Sequence, residues 1–265
     1  VNFFRAAGRS VRLVGMFVVA GVELAVTQPE TREQRADWLH RFCARAMRGM
    51  GIEIKVSGSF PKRGAVISNH LSYLDIVVYA AVHPCVFVSK AEIRSWPVVG
   101  WMTTMSGTVY VERGHGGSAM KARAGMQAAM DAGLPVVFFP EGTTSNGSGL
   151  LKFHSGLLAQ AIDGGAPVTA AYLRYGFREY NGPDVSVADD VCYWGDRNML
   201  GHIFTFLGLR GVRAEVRFAE RPMEFSSDAL HRKKAAVEAR AAVATLRAAN
   251  AFGGEEQVAG QMHHF

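Results

Sequence analysis

A histidine and an aspartate five residues apart, His70 and Asp75 in Ser68-Asn-His-Leu-Ser-Tyr-Leu-Asp75, are the strongest candidates for chemistry in this 265-residue chain. A β-branched run ends at Asn69-His70 and an apolar helical run begins just after Ser72. In one continuous helix, five residues would turn the two side chains about 140° apart. They meet only if His70 stands in the turn ahead of the helix. From the first helical turn, Asp75 can then point back and accept the imidazole Nδ1–H, which fixes the tautomer and leaves Nε2 as a general base. That supplies two members of a triad, with a substrate hydroxyl in place of the serine. The same residues also fit a plainer role. Ser72-x-x-Asp75 ahead of Ile-Val-Val is a capping box, and a histidine after a strand is commonly a hydrogen-bonded loop residue.

Two further stretches end a strand-like run in polar residues. Phe139-Pro-Glu-Gly-Thr-Thr-Ser-Asn-Gly147 leads an apolar strand into a turn holding an acid, glycines and hydroxyls. The loop after a strand's carboxyl end is where α/β sheets usually bind ligands. Gly142 can bring backbone N–H groups close to a ligand, and Glu141 can bind a hydroxyl or organise neighbouring loops; the plainer reading is a Pro/Gly turn. Gly107-Thr-Val-Tyr-Val-Glu-Arg-Gly114 delivers Glu112 and Arg113 to a strand end, and a guanidinium there suits phosphate or carboxylate, against the plainer reading of a surface ion pair. Lys90 and Glu92, after the run at Val86, repeat that layout.

These residues need strands and turns to position them, and the chain supplies both. Short apolar, β-branched runs predict strands at Ile52 to Val56, Ala65 to Ser68, Val86 to Ser89, Thr108 to Glu112, Val136 to Pro140, Val168 to Leu173 and Ala214 to Phe218. Helical patterns fall between them at Ile76 to Val82, Ser118 to Ala132 and Ser155 to Asp163, with a last helix over Asp228 to Ala249. Together these predict an α/β fold. Asn181 to Gly208 shows no period and reads as a long loop or a lid, and Gly253 to Phe265 reads as a disordered tail. The expected organisation is a helical, membrane-associating segment over 1–50, a catalytic domain over 51–250 and a tail over 251–265.

Within the first segment, Thr31-Arg-Glu-Gln34 is a capping box opening a helix whose apolar residues Trp38, Leu39, Phe42, Ala46 and Met50 recur at helical spacing. Arg41, Arg45 and Arg48 form a separate stripe, which suits either anionic headgroups or a solvated basic face. Ahead of it, Leu13 to Leu24 follows Arg5, Arg9 and Arg12. Charges and glycines interrupt every apolar run before the roughly 20 residues that a spanning helix needs, so no transmembrane helix is expected. The Leu13 to Leu24 stretch fits a signal peptide, a short anchor or a buried first helix. Glu23 and the lack of a small-x-small site argue against the signal peptide, and an anchor lying in the membrane interface is the preferred reading. The sequence opens on Val1 rather than Met, which leaves room for an upstream piece of this segment.

Composition narrows the function classes. Lys and Arg number 29 against 23 Asp and Glu, a formal net charge of +6 that favours an anionic partner such as a membrane surface, a phosphorylated ligand or nucleic acid. Cys43, Cys85 and Cys192 are far apart and odd in number, without C-x-x-C or Cys/His spacing, so neither disulfides nor a zinc site are indicated. There is no P-loop, zinc-finger spacing or G-x-S-x-G elbow, and the aromatics are not interleaved with basic clusters as in RNA-recognition modules.

In combination the motifs resemble a known family. His70-x4-Asp75, then Gly107 to Arg113, then Phe139-Pro-Glu-Gly-Thr143, then Gly165-Ala-Pro-Val168 before a strand match in order the four sequence blocks of the glycerolipid acyltransferases, which include 1-acylglycerol-3-phosphate acyltransferases. Lys90-x-Glu92 with Pro97 and Gly100 looks like that family's stretch between the first two blocks. The resemblance covers about Ile52 to Tyr172. It implies a central mixed sheet flanked by helices, and an O-acyltransferase with His70 as base and Asp75 as its orienting partner. Arg113 and Lys90 would meet the headgroup, and Glu141, Gly142 and Thr143 would line the acceptor site. The implied partners are a lysolipid acceptor, acyl-CoA or acyl-carrier protein as donor, and an anionic membrane surface on the cytoplasmic side, with no cofactor, metal or nucleic acid. One departure bears on substrate: many family members carry Arg after Glu-Gly-Thr, whereas this chain has Thr144. The Thr-Thr variant followed by Phe153-His-Ser155 looks similar to branches that include lyso-ornithine lipid acyltransferases. The first expected acceptor is 1-acylglycerol-3-phosphate, because Arg113 remains. A thioesterase and a non-catalytic lipid-binding module are the alternatives from other classes.

Overall fold

In the strands Ala65–Ile67 and Val136–Phe138, residues alternate between two cores: Val66 and Val137 pack on one side of the sheet, and Ala65, Ile67, Val136 and Phe138 on the other. Both faces are therefore covered, and the buried strands read as continuous apolar runs because neither face meets water. The structure is a computed structural model that describes residues 2–95, 99–111, 117–226 and 232–251. In chain order its elements are α1 (Phe3–Thr27), α2 (Arg32–Met50), β1 (Glu53–Ser57), β2 (Ala65–Ile67), α3 (Leu74–Val82) and β3 (Val86–Lys90). There follow α4 (Val99–Met105), β4 (Val109–Val111), α5 (Ser118–Asp131), β5 (Val136–Phe138), α6 (Ser155–Asp163) and β6 (Val168–Phe177). The chain then forms α7 (Val187–Asp190), α8 (Met199–Leu207), β7 (Val212–Phe218) and α9 (Arg232–Ala251).

The strands form one mixed sheet in the order β1-β7-β6-β2-β5-β3-β4. Among the described residues, only the β6–β7 pair is antiparallel. Five neighbours, β6, β2, β5, β3 and β4, run parallel, so the chain leaves β2, β5 and β3 along the same sheet edge. That edge receives His70 after β2, Glu141 after β5 and Lys90 at the end of β3. All seven expected strands are present, with ends shifted by a few residues. Helices α5, α6 and α9 cover one face and α2, α3 and α8 the other.

The first 50 residues are built into the same core. Thr31 and Gln34 make the capping box reciprocally, and α2 ends at Gly51 in the left-handed region at φ 69°, a conformation in which a Cβ is strained. Trp38, Leu39, Phe42, Met47 and Met50 are buried beside Val66, Leu71 and Val78. Each such side chain contributes about 1.5–3 kcal/mol through burial. Helix α1 lies along this layer against α2 and α8. Two of the three stripe arginines face it, for Arg41 and Arg45 pair with Glu23 at 3.2 and 2.6 Å. Arg9 donates to the Leu207 and Leu209 carbonyls, Arg5 to Gly208 and Arg12 to Gly49. The α1 cations thus satisfy the open carbonyls at the ends of α8 and α2, where the helix dipole favours positive charge.

Two expectations are corrected. The apolar run near the N-terminus does not stop at about 12 residues: α1 is continuous over 25 residues and, by length and composition, apolar enough to cross a membrane. Its arginines interrupt hydropathy without interrupting helix, since arginine is a good helix former and here has carbonyl partners. Asn181 to Gly208 is not a bare loop or lid. It contains α7 and α8, and Val191, Cys192, His202, Phe206 and Leu207 are buried. No period stands out in the sequence because α8 is only nine residues long, too short for a helical repeat to establish itself. The anticipated tail lies outside the described residues, as does the start of the last helix.

Candidate active site

The turn that carries His70 begins where β2 ends. Asn69 is buried, and its side-chain amide donates to the Leu173 carbonyl and accepts the Leu173 N–H, both at 2.8 Å. It thereby continues the ladder from β2 to β6 with a side chain, which aims the next residue off the sheet. Ser68 is held by Tyr79 of α3 at 2.7 Å and donates to Asn69. These buried polar groups are satisfied by one another, as burial demands.

His70 stands in that turn. Its Nδ1 lies 2.7 Å from Asp75 Oδ2, and Asp75, in the first turn of α3, is completely buried. The same oxygen accepts the N–H groups of Leu71 at 2.6 Å and Ser72 at 3.0 Å. Oδ1 accepts the Tyr175 hydroxyl at 2.6 Å. A buried carboxylate surrounded by donors acts only as an acceptor, so Nδ1 carries the proton and Nε2 presents its lone pair. Among the described residues, Nε2 has no partner. The Phe139 ring stacks flat on the imidazole, with centroids 4.0 Å apart and planes within 6°. Bonded at Nδ1 and stacked on one face, the ring has little freedom to turn.

The loop after β5 closes around this turn. Glu141 is buried, and its two carboxylate oxygens accept the His70 N–H and the Leu151 N–H, each at 2.7 Å. Burial raises its pKa above the ordinary carboxylate range, and the two N–H donors offset part of that. Ser145 N–H returns to the His70 carbonyl at 3.0 Å. Gly142 adopts φ 68°, which a side chain would strain. Thr143 is exposed and Thr144 half-buried, and their N–H groups have no partner among the described residues. From α9, Arg240 donates to the carbonyls of Leu150 and Leu151, and Arg247 to Ser148.

Of the sequence candidates, His70, Asp75, Glu141, Gly142 and Thr143 come together at this edge. Lys90 is exposed at the carboxyl end of β3, on the same side of the sheet. Arg113 lies outside the described residues. Three residues escaped the sequence reading: Asn69 as a staple between β2 and β6, Phe139 as the plate under His70, and Tyr175 on Asp75. Asn69 and Phe139 sit in recognised motifs, so their neighbours could have flagged them. Tyr175 lies 100 residues from its partner, with no local signal.

Beside the turn, a cleft of about 310 Å³ is lined by residues that include Leu71, Gly147, Tyr172, Arg174, Tyr175 and Cys192. Burial pushes the Cys192 thiol up to about 12, so it is no nucleophile at neutral pH. The described residues hold no group of three or more His, Cys, Asp or Glu suited to a metal ion.

The Acyltransferase family profile matches residues 52–174, the span that holds the dyad and the Glu141 loop. A lyso-ornithine lipid O-acyltransferase of Pseudomonas aeruginosa is 33% identical over 224 residues, 78% of this chain and 80% of that protein. The chain belongs to the acyltransferase family. A second acyltransferase, the 1-acyl-sn-glycerol-3-phosphate acyltransferase of Neisseria meningitidis, is 34% identical over 201 residues, 73% of this chain and 78% of its own. The crystal structure of the 1-acyl-sn-glycerophosphate acyltransferase of Thermotoga maritima shares the fold. It covers 91% of this chain and 98% of its own with a TM-score of 0.58, at 20% identity.

Proposed function

We propose that this acyltransferase moves a fatty acyl group from a thioester, acyl-CoA or acyl-carrier protein, onto the free hydroxyl of a lysolipid, with His70 as general base and Asp75 as its partner. The observation that carries the reading is the His70–Asp75 pair in a turn where Nε2 is left open. Nε2 takes the hydroxyl proton as that oxygen attacks the thioester carbonyl, and Asp75 stabilises the imidazolium. The C–S bond breaks as the new ester forms, and the imidazolium returns its proton to the departing thiolate. The free N–H groups of Thr143 and Thr144 are candidate donors for the oxyanion, each such donor being worth about 10²- to 10³-fold.

Two acceptors follow from one position. A 1-acylglycerol-3-phosphate needs cations for its phosphate, and Lys90 with Arg113 would supply them. Thr144, where many family members carry arginine, favours a zwitterionic acceptor such as a lyso-ornithine lipid. The two relatives compared above carry both names. Glu141 serves this reading by holding the turn, since both of its oxygens are already engaged.

The enzyme would work at the cytoplasmic face of a membrane, with α1 in the interface. Helix α1 buries Ala6, Ala20 and Leu24 against the domain while Phe4, Val11, Val18 and Val22 face outward. A helix packed lengthwise on its domain with an apolar outer stripe suits immersion in a headgroup layer better than a crossing.

The test is an acyl-transfer assay with long-chain acyl-CoA, and then acyl-carrier protein, offering lysophosphatidate and lyso-ornithine lipid with a His70→Ala control. Product that depends on His70 supports the mechanism, and its acceptor tells which reading of Thr144 holds. Wild-type turnover in His70→Ala would end the general-base assignment.

A further inference from the structure

Asp75 accepts four hydrogen bonds, and three of them converge on Oδ2 from the turn it serves. The fourth comes from outside. Tyr175 Oη donates to Oδ1 at 2.6 Å from β6, the strand locked by backbone pairing to β2 on one side and β7 on the other. No other described residue donates to Oδ1. Without that bond, a fully buried carboxylate oxygen would be unpaired, and the carboxylate, still held at Oδ2, would keep its full charge and be freer to rock about its Cβ–Cγ bond. Tyr175 is one residue beyond the matched family span and belongs to none of the four sequence blocks.

We propose that Tyr175 is a positioning residue of the dyad: it ties Asp75 Oδ1 to β6, keeps Oδ2 aimed at His70 Nδ1, and draws off part of the carboxylate charge that the imidazolium feels. The proposal rests on the general-base reading of His70. Burial, and then the neighbouring Asp75 charge, hold the Tyr175 hydroxyl well above its ordinary pKa, so it stays a donor at any working pH. The other titratable groups facing the pair are Glu141 from the loop after β5, Tyr79 from α3 and Cys192 ahead of α8. Burial keeps Tyr79 and Cys192 protonated.

The experiment uses the full chain in lipid–detergent micelles, with acyl-CoA and whichever lysolipid the wild type acylates. It compares wild type, Tyr175→Phe, 3-fluorotyrosine at position 175, and His70→Ala. In Tyr175→Phe, kcat should fall about tenfold while both KM values stay within about twofold. Undiluted carboxylate charge favours the imidazolium, so the acidic limb of kcat/KM should move about half a pH unit upward. The fluorinated hydroxyl is a stronger donor of the same shape and should move that limb downward. Wild-type kcat and limb in a folded Tyr175→Phe protein would reduce Tyr175 to packing. If Tyr175→Phe does not fold, the fluorotyrosine protein decides, and an unmoved limb overturns the proposal. Full activity in His70→Ala would instead remove the general base itself, a failure distinct from that of Tyr175.

Discussion

Glu141 accepts the backbone N–H of His70 at 2.7 Å, so the loop after β5 holds the His70 turn by its main chain while Asp75 holds it by its side chain. The second Glu141 oxygen takes Leu151 N–H. Glu141→Gln keeps the shape but sets an NH₂ group against one of two N–H donors. The lost bond should cost about 1–3 kcal/mol of stability, and the loosened turn should lower kcat about 10- to 100-fold. Thermal unfolding and steady-state kinetics check both. Wild-type stability would mean that the turn stands without this brace.

Asp75→Asn separates charge from geometry. The Asn oxygen can still accept from His70, Leu71 and Ser72, and its NH₂ can donate to Tyr175 if that hydroxyl turns to accept. The fold should therefore survive, while loss of imidazolium stabilisation lowers kcat about 10²- to 10⁴-fold. Activity within a few-fold of wild type, in protein with an unchanged melting temperature, would show that the carboxylate charge is dispensable.

His202 predicts a pH dependence of stability. It is buried on α8, accepts from the Tyr73 hydroxyl at Nδ1 (3.1 Å) and bonds the Cys192 carbonyl through Nε2 (3.0 Å). Burial lowers its pKa below the ordinary 6.5. Between that lowered value and 6.5, the unfolded chain binds more protons than the native one, so stability falls as pH drops through this window and is complete above it. His202→Gln, which can accept from Tyr73 and donate to Cys192, should have the flatter profile of melting temperature between pH 7.5 and 5. Parallel profiles would show that His202 does not contribute.

The outer stripe of α1 predicts membrane affinity. Val11, Val18 and Val22 are exposed and touch none of the contacts that hold α1 to the domain. Replacing all three by serine should leave the melting temperature unchanged and weaken co-sedimentation with anionic vesicles about tenfold or more. Equal sedimentation would assign membrane binding to another surface.

Strands, the α/β class and the meeting of His70 with Asp75 in a strand–helix turn were legible in the sequence because each rests on local physics. β-branched runs, a five-residue spacing across a strand–helix turn and a Thr31–Gln34 capping box act over fewer than ten residues. The order of the family blocks carried the rest of the functional reading. What the sequence alone left open was the even choice between headgroups and solvent for Arg41 and Arg45. The structure pairs both with Glu23, a residue 18 and 22 positions away. The sequence likewise hid the packing of α8, nine residues being too few for a helical repeat to stand out, and the contact of Tyr175, brought to Asp75 by β6. Such contacts join segments that are distant in the chain, and only the sheet order, which seats β6 beside β2, brings them together.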